Sequence, residues 1–284
     1  MQTVLEQLFQ AAPAFPTKLK NAAKVILDHP TLVATSSMRA LAKKAGVTPP
    51  TMIRLATTLG FDNYDSFRQV FKSSVNGRSF EERANSLQSI STTEGLPAII
   101  RDIREAGIGN VSQFYDELDL DKLRHAADII LAAPNVYVVS AGGLHWISSY
   151  FHYVCKMAVP QMRLPRNNGN GLIEGLIPIS SEDVIIGMAY HPYARHSIEA
   201  LEFALSRGAK MIYLSDSKVA PLASQAEVLL LQNTVGPQFF PSMLSVMTAV
   251  EALIAVIVVQ SGEEAIRSIA EYSEIRRKSE FYLN

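Results

Sequence analysis

SSMRALAKKAGVTPPTMIRLATTLG, residues 36–60, decides the reading of the first third of this chain. It reads as two short helices joined at Ala45-Gly46-Val47, a helix-turn-helix. Ser37 and Thr48 stand where an N-cap offers a side-chain oxygen to the free N–H groups of a first turn. Pro49 takes the first position of the second helix, where its fixed φ fits and its missing N–H is not needed. Gly46 supplies the corner. Met38, Leu41, Ala42, Ala45, Val47, Met52, Ile53, Leu55 and Leu59 are expected to face inward and fix the angle between the helices. The second helix then presents Thr48, Pro50, Thr51 and Arg54 from its N-terminal half, the part that enters a major groove when such a motif docks on DNA. Arg39, Lys43, Lys44 and Arg68 are read as backbone-phosphate contacts.

Charge supports that reading. Residues 1–80 carry ten Lys/Arg and four Asp/Glu, a balance of +6, whereas the whole chain is −1 from 26 basic and 27 acidic residues; residues 81–284 therefore carry −7. A basic module on an acidic body suits DNA binding, because phosphate neutralisation and counterion release supply much of the affinity.

The 284 residues, 48% hydrophobic, are expected to divide into two domains. No charged-then-apolar leader opens the sequence, and the longest apolar tract, 243–259, is interrupted by Ser245, Thr248 and Glu251, which reads as a buried helix rather than a membrane span. The single cysteine, Cys155, excludes an intramolecular disulfide, fits a cytoplasmic protein and lies in an apolar helical pattern, as an inert core thiol does. No Cys/His cluster has zinc spacing, and no metal or cofactor is expected.

Residues 79–134 read as a helical connector, with a hinge near 76–92. Leu96, Ile99, Ile100, Ile103 and Ile108 recur at helical spacing, and so do Leu120, Leu123, Ala126, Ala127, Ile130 and Leu131 until Pro134. The partition is thus 1–78, 79–134 and 135–284. From Asn135 onward five short apolar runs, 136–140, 161–164, 183–189, 210–215 and 228–232, alternate with helical stretches. Continuous rather than alternating apolar strands indicate burial on both faces, hence a parallel, doubly wound α/β sheet whose ligands bind beyond the carboxyl ends of the strands.

The loops after the runs are therefore the candidate effector site: Ser140, Gly142, Gly143 and Leu144 in the first, and Tyr190, His191, Tyr193, Arg195 and Ser197 in the second. Gly142 and Gly143 let backbone N–H groups approach an anion at a helix start, or serve only as turn residues. Arg195 can grip a phosphate or carboxylate. Ser215-Asp216-Ser217 and 233–241 are the further loops at these strand ends, and Asp216, between two serines, either serves the site or caps the next turn. No acid/base pair is marked, and no catalytic residue is assigned.

Together the two halves resemble the RpiR-type transcriptional regulators, whose second half is a sugar isomerase (SIS) domain. The resemblance rests on LAKKAGVTPPTMIRLATTLGFDNYDSFRQVF at 41–71 and on DVIIGMAYHPYARHSIEALEFALSRGAKMIYLSDSKVAPLASQAEVLL at 183–230. It implies a homodimeric or homotetrameric regulator of double-stranded DNA whose second domain binds a phosphorylated sugar. Leu144 stands where the family's first-loop serine is expected, and 189–195 lacks the usual Ser-x-Ser-Gly arrangement. The aromatic, histidine and arginine content points instead to a carboxylate or sugar derivative held by stacking and Arg195. The competing classes are a SIS-type phosphosugar isomerase or lyase, which turnover on ketose and aldose phosphates separates, and a protein-binding adaptor, against which the +6 of residues 1–80 argues.

Overall fold

A computed structural model describes residues 2–76, 79–165 and 171–279. The chain forms two compact units. One comprises Met1–Glu117 with Asn233–Ser245; the other comprises Leu118–Gln232 with Val246–Asn284. The 79–134 stretch is therefore divided between them, and the boundary read at 78 falls outside the described residues.

The first unit is helical: α1 (Gln2–Ala11), α2 (Thr17–Asp28), α3 (Pro30–Thr35), α4 (Met38–Lys44), α5 (Pro49–Thr58), α6 (Tyr64–Asn76), α7 (Phe80–Glu94) and α8 (Leu96–Asp116). α4 and α5 are the two helices of the quoted stretch. α4 ends in a Schellman arrangement, with Val47 N–H donating to Ala42 O at 2.9 Å and Gly46 N–H to Lys43 O at 3.1 Å. This requires φ +64° at Gly46, a region that side chains with a Cβ avoid. α5 ends the same way at Gly60, φ +87°, through Phe61 N–H to Ala56 O. Asn63 then starts α6 by accepting from Ser66 N–H at 2.8 Å, and Ser79 and Glu82 form a capping box on α7.

The core of this unit joins Leu8, Ala22, Ile26, Val33, Leu41, Met52, Leu55, Phe67 and Phe71, all fully or almost fully buried. Phe67 packs on Phe61 and Phe71 with ring centroids 5.3 and 5.0 Å away. Val235, from the segment that follows the last strand, belongs to the same core. That segment is tied in by polar bonds as well. Asn110 Nδ2 donates to Val235 O at 2.8 Å, and the buried Arg83 guanidinium donates to Gly236 O and Gln238 O at 3.3 and 2.7 Å. Phe80 and Phe240 stack at 5.4 Å.

The second unit holds α9 (Leu120–Ala132), β1 (Val136–Val139), α10 (His145–Cys155), β2 (Met162–Arg163), β3 (Val184–Ala189), α11 (Arg195–Ser206), β4 (Lys210–Ser215), β5 (Val228–Leu231), α12 (Leu244–Ser261, from Val246) and α13 (Glu263–Lys278). The five strands form one sheet in the order β2-β1-β3-β4-β5, all neighbours parallel. This is the five-stranded sheet flanked by helices that the apolar runs predict. Every residue of β1 and β3 is buried, as covering on both faces requires. One face packs Tyr137, Val139, Ile185, Met211 and Tyr213 with Ala200, Leu201 and Ala204 of α11. α11 lies so close to β3 that a Cβ on Gly187 would sit 2.5 Å from a Leu201 methyl.

Cys155 is fully buried, and burial pushes its thiol up to about 12. Asp183, just before β3, is fastened by its neighbours. Burial opposes its charge, but donors from Asn135 and Ser180 at 2.8–2.9 Å outweigh that and hold its carboxyl below the usual range. α12 is long and apolar enough to cross a membrane by length and composition, with mean hydropathy 2.0. Its fully buried residues Val246, Ala249, Val250, Leu253 and Ile257 recur at the spacing of one helical face.

Candidate nucleic-acid interface and effector site

α5 is an amphipathic helix with its polar half outward. Met52, Leu55 and Ala56 are buried, whereas Thr48, Pro50 and Arg54 are exposed and Thr51 is half-buried. Thr48 occupies the N-cap position but makes no side-chain bond to the backbone there. Its hydroxyl instead shares a 3.1 Å bond with that of Thr51, so the capping expected of Thr48 is corrected: the two hydroxyls face each other at the exposed start of the helix. Ser37 does cap α4, accepting from Ala40 N–H at 3.2 Å, and it donates to Asp116 Oδ2 at 2.6 Å. Ile53, expected inward, is 42% exposed, because the helical phase that buries Met52, Leu55 and Ala56 turns position 53 out.

Arg39, Lys43 and Lys44 of α4 are exposed. Arg68 is different, and its reading as a phosphate contact is corrected. It is 4% exposed. Its Nε donates to Val33 O at 3.0 Å and its Nη2 to Ser36 O at 2.7 Å and to Gln113 Oε1. Its Nη1 reaches Glu117 Oε1 at 3.3 Å. These partners account for the guanidinium's donors inside the unit, so Arg68 holds the end of α3 and the backbone just before the Ser37 cap.

In the second unit the chain leaves β1 for β2 on one side and returns to β3 on the other, so the switch point lies between β1 and β3, where open α/β sheets bind ligands. Both expected loops start there. Ser140 and Ser148 share a 2.6 Å hydroxyl bond, and Ser197 Oγ accepts from Ala141 N–H at 2.8 Å. All three serines are buried; Ser140 ties the first loop to α10, and Ser197 ties it to α11. Gly142 and Gly143 are exposed and lead into α10, whereas Leu144 is buried.

After β3, Tyr190 is buried and its hydroxyl donates to Gln232 Oε1 at 2.6 Å. His191, joined to Pro192 by a cis peptide bond, donates its N–H to Asp216 Oδ2 at 3.2 Å. Tyr193 donates its hydroxyl to Asp216 Oδ1 at 2.9 Å. Asp216 therefore ties this loop to the end of β4. Burial, reinforced by the Asp216 charge, raises Tyr190 and Tyr193 well above the usual tyrosine value, and burial lifts Tyr213 to about 12. All three stay protonated, Tyr190 and Tyr193 as hydroxyl donors. Arg195 begins α11. It is exposed and pairs with Glu199 at 2.6 Å, which His196 also approaches at 3.2 Å. The hydrogen bonds from Arg195 and His196 hold the Glu199 carboxyl below its ordinary value.

Asp216 as an organiser and Gln232 escaped the sequence reading. The available signals were their positions, a carboxylate at the end of one apolar run and a lone amide closing another. Three buried polar atoms of this region lack a partner within the fold among the described residues: His191 Nδ1, Tyr213 Oη and Gln232 Nε2.

The helix-turn-helix domain of the rpiR family matches residues 2–76, and the SIS domain matches residues 129–256. An uncharacterized HTH-type transcriptional regulator of Caldanaerobacter subterraneus subsp. tengcongensis is 21% identical over 285 residues, with 97% of each chain covered. A second HTH-type regulator, from Haemophilus influenzae, is 23% identical over 219 residues, 75% of this chain and 74% of the relative. The bifunctional protein glk of Burkholderia pseudomallei is 22% identical over 96% of this chain, which spans 41% of that longer protein. Among solved structures, the Vibrio vulnificus NanR protein complexed with ManNAc-6P aligns over 99% of this chain and 100% of its own at TM-score 0.57 and 16% identity. The sugar isomerase domain of an RpiR transcription factor from Sphaerobacter thermophilus covers 64% of this chain and 99% of its own at TM-score 0.58 and 24% identity. These likenesses to solved structures show a shared fold. With an rpiR-type helix-turn-helix on its helical unit and a SIS domain on its sheet unit, the chain belongs to the RpiR-type HTH regulators.

Proposed function

We propose that this chain is a sequence-specific DNA-binding regulator whose SIS domain senses a small sugar-derived metabolite, without turnover. The observation that carries it is α5: a helix with Thr48, Pro50 and Arg54 exposed and Thr51 half-exposed beside them, over the buried Met52, Leu55 and Ala56. In this reading Arg54 and the Thr48–Thr51 pair address base edges or adjoining phosphates, and Arg39, Lys43 and Lys44 neutralise phosphates. A homodimer or homotetramer places two such helices on half-sites about one helical turn, or a multiple, apart. The metabolite is taken at the switch point by the loops carrying Gly142, Gly143, Tyr190, His191, Tyr193 and Arg195. Ser140, Leu144 and Ser197 shape it from beneath. A sugar phosphate, as in the NanR complex, or a sugar acid supplies an anion for Arg195 and the glycine N–H groups. The histidine–carboxylate pair of this region, His196–Glu199, lies open to solvent and its carboxylate is also held by Arg195, which favours sensing over isomerisation.

The test is a fluorescence-anisotropy titration of the full chain against the DNA upstream of its own gene, across a salt series, with and without sugar phosphates and sugar acids. Tight binding that weakens steeply with salt, and that a member of the pool shifts, is the expected result. Lack of binding in every condition, or robust isomerisation of any pool member, overturns the proposal.

A further inference from the structure

Directly after β4, at the end of the sheet where such folds bind ligands, Asp216 carries a half-buried carboxylate. Its donors among the described residues are neutral: His191 N–H reaches Oδ2 at 3.2 Å and the Tyr193 hydroxyl reaches Oδ1 at 2.9 Å. Ser215 Oγ stands 3.5 Å from Oδ1, but its one hydrogen goes to Ala189 O at 2.8 Å. No Lys, Arg or His side chain forms an ion pair with Asp216 among the described residues. Arg195, the cation at the start of the neighbouring helix, is exposed and held by Glu199 at 2.6 Å. A carboxylate offers about four lone-pair positions, so acceptor capacity remains open.

Two further acceptors stand by it without partners of their own among the described residues. Tyr213 is fully buried three positions earlier in the chain, and its hydroxyl oxygen is unpaired; the Asp216 charge reaches it and adds to the rise that burial causes. His191 Nδ1 is buried and unpaired in the same way, on a ring set edge-on to Tyr193 at 5.9 Å. With its proton on Nε2, a neutral imidazole presents Nδ1 as an acceptor. The cluster is thus rich in acceptors and holds a negative charge without a counter-charge, and a partly desolvated charge is costly until it is paired.

We infer that Asp216, Tyr213 and His191 form a subsite for a free ammonium group, so that the metabolite taken by this unit is an amino sugar derivative with an unacylated nitrogen. An ammonium brings three hydrogens and a positive charge. It meets the open positions of the carboxylate and the two unpaired acceptors, and it cancels the charge. A hydroxyl at the same place brings one hydrogen and no charge; an acetamide brings one hydrogen and added bulk. A phosphate brings acceptors and negative charge, which Asp216 repels, so the anion of the ligand belongs with Arg195 and the glycine N–H groups. The inference rests on the reading of these loops as the effector site and adds the chemical group that they select.

Isothermal titration calorimetry of the full chain against matched hexosamine, N-acetylhexosamine and hexose phosphates, in the gluco, manno and galacto series, tests it. In a series that binds, the free amine is expected to bind at least tenfold more tightly than its N-acetyl and hydroxyl counterparts. Asp216→Asn keeps an oxygen for the Tyr193 hydroxyl but removes the charge; it should cost the amine at least tenfold and change the hexose phosphate less than twofold. Tyr213→Phe is the second variant should Asp216→Asn fail to fold. It deletes an unpaired hydroxyl while keeping the buried ring, and should weaken the amine at least threefold with the hexose phosphate unchanged. Equal or tighter binding of the hydroxyl or N-acetyl member in every series that binds, or an amine affinity unchanged by both variants, overturns the subsite and leaves the effector site standing. Absence of binding by every member overturns the reading of the loops as a sugar-phosphate site, and the subsite with it.

Discussion

Arg68→Ala separates a core arginine from a phosphate contact. In the native unit the guanidinium serves Val33 O, Ser36 O, Gln113 Oε1 and Glu117. The Glu117 side chain is 56% exposed, so that ion pair contributes at most ~1 kcal/mol. The three other acceptors are buried or partly buried, and a buried acceptor left without its donor costs about 1–3 kcal/mol. Partial rehydration of the vacated space lowers the sum, so an overall loss of about 3–4 kcal/mol is expected. That is a large share of the ~5–15 kcal/mol stability typical of folded proteins. Urea unfolding followed by far-UV circular dichroism reads it through the helices, while the fluorescence of the single tryptophan, Trp146 in the sheet unit, reports that unit separately. The circular dichroism transition should move to lower urea and the Trp146 transition much less. Arg68→Lys should recover only part of the loss, because an ammonium cannot span the same fork of acceptors. Should Arg68→Ala cost less than about 1 kcal/mol while lowering the salt slope of DNA binding by about one, the guanidinium would be a phosphate ligand and the burial argument would fail.

Arg54→Ala should weaken operator binding by about 1–3 kcal/mol and relax preference at one base position, with the melting temperature unchanged; equal loss on all sequences would reassign it to the backbone. Lys43→Ala and Lys44→Ala should each reduce the salt slope by about one without altering base preference, as titrations between low and moderate salt will show. Val235→Ala removes buried methyl groups from the core of the helical unit and should destabilise that unit by about 1–3 kcal/mol, read by the same dichroism experiment; no effect would mean the 233–245 segment is not integral to it. Cys155, its thiol raised by burial to about 12, should resist alkylation at neutral pH until the protein unfolds. Because the folded value lies above the unfolded one, its contribution to stability is complete below about 9 and is lost as the pH rises toward 12, which a Cys155→Ala comparison across alkaline unfolding curves would detect.

The parts of the molecule built from neighbours in sequence were legible without a structure. Gly46 and Gly60 mark helix ends because the bonds they close reach back only a few residues, and Ser37 caps because its partner is three residues on. The five apolar runs announce strands buried on both faces, and their separation by helical stretches leaves parallel pairing as the ready solution. Where local reading failed, a competing local interaction had won. Thr48 stands at the cap position but bonds to Thr51, and Ile53 is apolar yet lies outside the phase of the buried face.

What the sequence determined by itself is thus the helix-turn-helix, the parallel sheet and the loops at its switch point. The tertiary structure alone decided where the 233–245 segment goes and what Arg68 does. In sequence, that segment is one more loop after a strand; in the fold, Val235 enters a core with Leu8 and Phe71, and Asn233 reaches an acceptor 199 positions away. Arg68 sits one turn from Lys72 on an amphipathic helix and looks solvent-facing until the carbonyls of α3 and the Gln113 amide are brought around it. Propensity, capping and periodicity act over one or two turns, whereas the matching of a buried donor to its acceptor depends on which distant backbone groups the packing leaves unpaired.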